Sequence, residues 1–130
     1  MLTLDINILD VLTPSPHASI NGLIPLVAWR IGEETAFLAE GSVQDTGGMV
    51  EWAGSIGLFN QLGESSSVAT TASDSRGVYF VPGFHGLQGA VGDSTATAGF
   101  IGIRLDTTRG EMLRAVLESI AFSQKQLVSL

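Results

Sequence analysis

The first third of the chain alternates apolar and polar residues with the period of two that is typical of β-strands. In LTLDINIL, residues 2–9, every second residue is leucine or isoleucine, which predicts a half-buried strand. The segments 23–31 and 35–43 predict further strands, joined to each other by a short turn. Pro25 has no N–H to donate, so we expect it near a strand start or on a sheet edge. The short links between these strands predict an antiparallel meander.

Apolar residues take up helical spacing in the middle of the chain. They recur from Met49 to Ile56, which predicts a helix that Asp45 or Thr46 can cap. The next segment, 64–75, is rich in serine and threonine and poor in apolar residues. We interpret it as a loop or a weak helix.

The C-terminal part predicts short strands and then one long helix. The segment 78–82 is a dense apolar run that ends in proline, and 99–105 indicates another strand. Thr108 and Glu111 then form a capping-box pattern, and apolar residues follow on one helical face to the end of the chain. Strands followed by alternating helices and strands predict an α/β layer structure.

Composition narrows the class of protein. The chain has 130 residues, of which 45% are hydrophobic, and this fits one folded domain. Its formal charge of −7 argues against a nucleic-acid partner, although backbone N–H groups and metal ions still allow nucleotide binding. The absence of cysteine excludes disulfides and thiolate metal sites. No apolar run approaches the roughly 18 residues that span a bilayer. We therefore expect a soluble, cytoplasmic protein with no membrane partner.

The stretch VPGFHGLQGAVGDSTA, residues 81–96, carries a glycine at every third position from Gly83 to Gly92. It does not match the Walker pattern, because no Gly-Lys-Ser/Thr follows, and it does not match GxGxxG. Four glycines without a continuous Gly-X-Y run do not form a collagen helix. We interpret the stretch as a shaped loop in preference to a direct ligand contact.

The helix start DTGGMVEW, residues 45–52, is a candidate anion site. Its paired glycines let a ligand approach the backbone closely, and the helix N-terminus favours negative charge. Close packing of the helix against a strand also needs small residues. Both interpretations stay open on spacing alone.

Four acidic residues are candidates for metal binding or general-base chemistry, namely Asp45, Glu51, Asp93 and Glu118. Most acidic residues are simply solvated. Asp93 ranks first among the four because it lies in a loop that a site could use.

The histidines and tryptophans give weaker signals. His17 and His85 are single and far apart, and no Asp/Ser constellation accompanies them, so a catalytic triad is not expected. Trp29 and Trp52 fit core or interface positions better than stacking platforms.

Several segments resemble the carbohydrate kinase family that includes glycerol kinase and xylulokinase. They are VYFVPGFHGLQGA at 78–90, RAVLESIAFSQKQL at 114–127, and the spacing of Ala, Phe, Gly-Ile, Glu-Met and Ala-Val-Leu-Glu through 98–118. Three segments are similar in particular to the divergent glycerol kinase 5 branch, namely LAEGSVQDTGG at 38–48, FVPGFHGLQ at 80–88 and RAVLESIAFSQKQL at 114–127. The resemblance covers roughly residues 20–130, which is most of the chain.

The resemblance implies a fold of two actin-like, ribonuclease-H-like domains with a cleft between them. Residues 1–130 would form a partial C-terminal domain, with a mixed sheet and helices. The family transfers the γ-phosphate of ATP, with magnesium, to a hydroxyl group of a small-molecule polyol or sugar. By position, Gly47, Val50 and Glu51 match the residues beside the nucleotide. The resemblance places no catalytic residue and no metal ligand in this portion.

The family's N-terminal domain, its catalytic aspartate and its downstream glycine-rich nucleotide motif are not found in the sequence. We therefore expect a fragment that is inactive alone. The loop AVGDSTATA, residues 90–98, keeps Asp93 but lacks the aromatic pair and the arginine that many members carry there. A pseudokinase or interaction protein that keeps the fold is thus the alternative, and a free-standing nucleotide-binding module is a third. Homo-oligomer formation stays open.

Overall fold

The computed structural model describes residues 6–16, 22–44, 46–87 and 91–129. The helices and strands found within these residues follow in the order β1 Ile6–Thr13, β2 Ile24–Ile31, β3 Glu34–Gln44, α1 Thr46–Ser55, α2 Ser65–Ala69, β4 Tyr79–Val81, β5 Gly99–Ile101 and α3 Arg109–Val128. A 3-10 turn, Leu62–Glu64, precedes α2. The predicted α/β organisation is confirmed, and 64–75 contains the weak helix that its composition allowed. No helix in the described ranges combines the length and apolarity needed to cross a membrane.

The first three strands form an antiparallel sheet in the order β1-β3-β2. The predicted meander is therefore wrong, because β1 pairs with β3 along Ile6–Thr13 and not with β2. The turn at Gly32, whose φ of +61° suits glycine, ties β2 to β3 as a hairpin. β2 lies on the other side of β3 from β1, so β1 and β2 are the two outer strands of this sheet.

Pro25 lies second in β2, on an edge strand of this sheet, as its missing N–H predicted. The register between β2 and β3 shifts between Val27 and Trp29, which marks a β-bulge. The second sheet pairs β4 with β5 in antiparallel register. Directly after β5, Gly102 has a φ of +84°, and a Cβ there would collide with the carbonyl oxygen of Gly77.

Helix α1 ends in a glycine cap. Gly57 has a φ of +87°, and its N–H donates to the carbonyl of Gly54 at 2.9 Å, while the N–H of Leu58 donates to that of Ala53 at 3.0 Å. This is the pattern of a Schellman motif. Ile56, predicted on the apolar helical face, is therefore wrongly placed: it lies past the helix end and is 48% exposed, while Leu58 enters the core.

The core lies between α1, α3 and the short sheet. Its buried members are Met49, Ala53, Leu58, Phe59, Ala69, Val78, Phe80, Leu113, Ala115 and Val116. The predicted capping box at the start of α3 is confirmed. The N–H of Thr108 donates to Glu111 Oε2 at 2.9 Å, and the N–H of Glu111 donates to Thr108 Oγ1 at 3.2 Å.

Candidate functional site

The three residues predicted beside a nucleotide share one face of α1, because positions three and four apart are neighbours on a helix. Val50 is partly buried and packs against the core, whereas Glu51 is exposed and Gly47 is half-buried. The helix thus brings the trio together. Gly48 and Trp52, on the neighbouring face, line a cavity.

This cavity has a volume of about 320 Å³ and is lined by Gly48, Trp52, Phe84 and His85. Beyond its chain neighbours and the backbone of its own helix, a Cβ on Gly48 would meet no heavy atom of the described residues within 4 Å, so the backbone of the first turn is open to approach. We call this space the helix-start cavity. It combines reachable backbone at a helix N-terminus with an aromatic wall.

The aromatic wall is fixed by packing. Trp52 stacks on Phe80 with ring centroids 5.3 Å apart, and Phe84 meets it edge-on at 5.0 Å. The ring of Phe100 also stacks on Trp52, with ring centroids 6.3 Å apart. Trp52 therefore packs against the edge of the core, as we predicted for this tryptophan.

A second, larger cavity of about 600 Å³ lies across the glycine-rich stretch, between residues 83–86 and 94–98. Backbone hydrogen bonds between Leu87 and Asp93, at 2.7 and 2.9 Å, close this loop. Asp93 Oδ1 accepts from the N–H of Thr95 at 2.8 Å and from Thr95 Oγ1 at 2.7 Å. Hydrogen bonds from the Thr95 side chain and backbone lower the pKa of Asp93. The carboxylate thus holds the loop together.

The loop also explains three of these glycines, Gly83, Gly86 and Gly92. A Cβ on Gly83 would lie 2.8 Å from the backbone carbon of Thr97, and one on Gly86 would lie 2.7 Å from Ser94 Cα. Gly86 and Gly92 have φ values of +81° and +62°. Steric crowding or a positive φ therefore favours glycine at each of these three positions, while Gly89 lies outside the described residues.

The other candidate acids do not converge. Glu118 pairs with Arg114 four residues earlier, at 2.8 Å, and Arg114 also donates to the carbonyl of Ala72 at 3.0 Å. Asp45 and His17 lie outside the described residues. Across the described ranges, no three His, Asp or Glu side chains come close enough to hold a metal ion.

The sequence patterns gave no indication of a role for Arg76. Its guanidinium links the turn before β4 to the start of α3. It donates to Asp106 at 3.0 Å and to Glu111 at 3.1 Å. Its own φ is +48°, next to Gly77. The partners lie 30 and 35 residues away in sequence, so no local pattern signals them. Only the turn signal in DSRG, residues 74–77, was visible.

Residues 7–129 match the family described as FGGY family of carbohydrate kinases, C-terminal domain. Glycerol kinase 5 of Danio rerio is 47% identical over 120 residues, and that of Homo sapiens is 42% identical over 113 residues. Glycerol kinase of the bacterium Alkalilimnicola ehrlichii is 40% identical over 114 residues. These matches cover 87% to 92% of this chain and 21% to 23% of the relatives. The chain thus spans less than a quarter of their length.

Solved structures give the same result at the level of the fold. Plasmodium falciparum glycerol kinase with ADP aligns with a TM-score of 0.86 at 29% identity, over 94% of this chain and 25% of that one. Ligand-bound xylulose kinase from Lactobacillus acidophilus aligns with a TM-score of 0.79 at 25% identity, over 96% of this chain and 25% of that one. These similarities confirm the ribonuclease-H-like, actin-like fold class.

Proposed function

Because the chain belongs to the FGGY family of carbohydrate kinases, we propose that it works as part of an ATP-dependent kinase acting on a small polyol or sugar. The match over residues 7–129 carries this proposal. Relatives named glycerol kinase make glycerol the first substrate to test. The chain spans about a quarter of such proteins, so the other domain and the catalytic aspartate would come from the rest of the enzyme. The proposed location is cytoplasmic.

Within that enzyme, we assign the start of α1 to the nucleotide, with Gly47, Val50 and Glu51 as the contacting face. A glycerol kinase that has a TM-score of 0.86 to this chain was solved with ADP, which supports a nucleotide as the ligand of the complete enzyme. The open backbone at Gly48 supports it as well, because helix N-terminal amides favour phosphate groups. Magnesium would arrive on the ATP phosphates, which are its usual ligands in kinases. The chain itself would bind and orient the nucleotide.

A chimeric kinase tests the assignment. This chain replaces the matching segment of Alkalilimnicola ehrlichii glycerol kinase, to which it is 40% identical over 114 residues. Gly48→Val fills the helix-start cavity and is expected to raise the KM for ATP by about ten-fold, equivalent to about 1.4 kcal/mol of lost binding. Gly63→Val is the matched control, because a Cβ there also meets nothing within 4 Å and Gly63 does not line the helix-start cavity. Equal KM values for both variants would refute the placement of the nucleotide at the start of α1.

The alternative is a pseudokinase or interaction protein that keeps the fold. The loop 90–98 favours it, because Asp93 is engaged in closing the loop by its bonds to Thr95. A folded chimera that neither binds ATP–Mg nor forms ADP would support this alternative. A chimera that turns over glycerol would exclude it for this portion of the chain.

A further inference from the structure

The turn before β4 holds an arginine in the left-handed backbone region. Arg76 has a φ of +48°, and it is the one non-glycine residue with a positive φ among the described ranges. Gly77 follows with a φ of +75°, and the N–H of Val78 donates to the carbonyl of Ser75 at 2.9 Å. Two central residues with positive φ, closed by such a bond, form the pattern of a type I′ turn. Asparagine or glycine suits the first central position, so the backbone of Arg76 is strained.

The side chain of Arg76 is held by two carboxylates. Nη1 donates to Glu111 Oε1 at 3.1 Å, and Nη2 donates to Asp106 Oδ2 at 3.0 Å. The Glu111 side chain is 6% exposed, whereas that of Asp106 is 67% exposed. A nearly buried carboxylate that loses its cation is destabilising, while an exposed ion pair contributes little. Glu111 is therefore the anchor of this group of three residues, which we call the arginine clasp.

The arginine clasp lies at one end of the short sheet. β4 begins at Tyr79, just after the turn, and Asp106 lies in the link between β5 and α3. A Cβ on Gly102, directly after β5, would collide with the carbonyl oxygen of Gly77, so the two strands approach closely here. Glu111 belongs to the first turn of α3. The clasp thus joins the start of β4, the link that follows β5 and the start of α3.

The other end of the same sheet leads to the aromatic wall of the helix-start cavity. Phe80 of β4 and Phe100 of β5 are register partners, with ring centroids 4.8 Å apart. Phe80 also packs on Phe84, with ring centroids 5.9 Å apart, and His85 follows directly in the chain. Phe84 and His85 are two of the four residues that line the cavity. The position of β4 therefore affects half of the cavity lining.

A short, stiff strand connects the arginine clasp to the aromatic wall. β4 has 3 residues, Tyr79–Val81, and at about 3.3 Å per residue it is about 10 Å long. All of its residues are β-branched or aromatic, which are the types that favour an extended chain. Val78, directly before the strand, is 1% exposed in the core. A shift at the clasp is thus carried along β4 to Phe84.

The stability of the turn alone does not account for an arginine at position 76. Asparagine would relieve the strained φ without needing an ion pair. Glu111 would still accept the N–H of Thr108 at 2.9 Å, so this bond of the α3 cap does not require Arg76. Backbone strain of this kind clusters at functional sites, where surrounding contacts hold it in place. What arginine adds at this position is its side chain.

We propose that Arg76 is a positioning residue of the kinase. Through Glu111 it holds β4 in place on α3, which β4 contacts, and β4 in turn holds Phe84 against Trp52. The clasp thereby fixes the wall of the helix-start cavity that receives the nucleotide. This inference rests on the proposed function for the identity of the ligand, and on the geometry alone for the position of the wall.

Tryptophan fluorescence tests the positioning without any nucleotide. The chain has two tryptophans, and Trp29 is 45% exposed in β2, so Trp29→Phe leaves Trp52 as the single reporter. In that background, Arg76→Asn is expected to make acrylamide quenching of Trp52 about two-fold faster, because the wall loosens. Arg109→Asn removes the same charge from an exposed residue in the first turn of α3 and should leave quenching unchanged. Equal quenching in the two variants would overturn the proposal.

The route through Glu111 has its own test. Glu111→Gln should also speed quenching of Trp52, and adding Arg76→Asn to it should change quenching no further, because residues in one network are not additive. Arg76→Lys keeps the charge but lacks the planar fork that reaches two carboxylates, so its quenching should lie between wild type and Arg76→Asn. The lysine variant also keeps the test decisive if asparagine unfolds the chain. Additive effects, or wild-type quenching in Arg76→Lys, would contradict the proposed route.

Kinetics of the chimeric kinase separate positioning from a loss of folded enzyme. Arg76→Asn is expected to raise the KM for ATP by about three-fold with kcat nearly unchanged, because the loosened wall weakens nucleotide binding. A role confined to stability would lower kcat through a smaller folded fraction and leave KM unchanged, and that result would rule the proposal out. Arg109→Asn should change neither constant. An inactive chimera would refute the proposed function, whereas faster quenching of Trp52 in Arg76→Asn would leave the positioning role standing.

Discussion

At the scale of single residues, several positions that sequence resemblance picked out serve the fold. Within the family-like spacing of 98–118, Gly102 turns the chain with a positive φ, Glu111 caps α3 and Ala115 is 2% exposed in the core. These roles were partly predictable, since the capping box is a local pattern. The need for glycine at position 83 was not predictable. A Cβ there would collide with the backbone of Thr97, which lies across the loop.

Alanine substitutions in the glycine-rich loop separate the energetic cost of steric overlap from the cost of a positive φ. Gly83→Ala would crowd the backbone of Thr97 and Ala98, and it should lower the free energy of unfolding by about 1–3 kcal/mol. Gly92→Ala meets nothing within 4 Å and should lose only about 1 kcal/mol for its positive φ. Gly86→Ala carries both costs and should lose the most. Urea unfolding of the three variants checks this order, and a neutral Gly86→Ala would contradict it.

At the scale of elements, helices were easier to predict than strand order. Apolar periodicity and caps are local, so α1 and α3 were found with nearly correct bounds. The end of α1 was misjudged because Ile56 continues the periodic pattern while Gly57 stops the helix. The pairing of β1 with β3 depends on where a long link delivers β2, which strand patterns do not encode.

The cap of α3 should make stability depend on pH. Backbone donation from Thr108, and then the ion pair with Arg76, hold the pKa of Glu111 below its ordinary value of 4.5. The pKa of Glu111 is therefore lower in the folded state than in the unfolded state. Its contribution to stability is complete above the ordinary pKa of glutamate and is lost as the pH falls below that value. Glu111→Gln should therefore lower the Tm at neutral pH and flatten its fall in acid.

Thermal unfolding between about pH 7 and about pH 3 measures this effect. Glu33→Gln removes the same charge from the exposed β2–β3 turn and should keep the acid-dependent fall. Thr108→Ala should cost about 1 kcal/mol by removing the reciprocal cap. A Glu111→Gln variant whose Tm follows the wild type at every pH would contradict the assigned cap.

At the scale of the whole molecule, the sequence pointed to the family but could not reveal which apolar residues of the three-stranded sheet stay exposed. Exposure of alternating apolar residues on β1 and β2 depends on which elements pack against each face, and α1 and α3 contact this sheet at β1 and β3. The nucleotide assignment for Gly47, Val50 and Glu51 likewise needs a second domain to complete the cleft. Both features are consistent with the proposal that the chain works as part of a larger kinase.

Calorimetric titration of ATP–Mg into the isolated chain follows from this view. Phosphoryl transfer depends on positioning and charge stabilisation from both domains. We expect binding no tighter than about 1 mM, which corresponds to about −4.1 kcal/mol. A micromolar affinity would favour the free-standing nucleotide-binding module.

Glycerol-dependent ADP formation, measured side by side for the isolated chain and the chimeric kinase, tests the central claim most directly. The claim is that this chain supplies one part of an ATP-dependent carbohydrate kinase and needs the other part for chemistry. The account predicts turnover by the chimera that requires both glycerol and magnesium, and no turnover by the isolated chain. A folded chimera without turnover, or a catalytically active isolated chain, would contradict it.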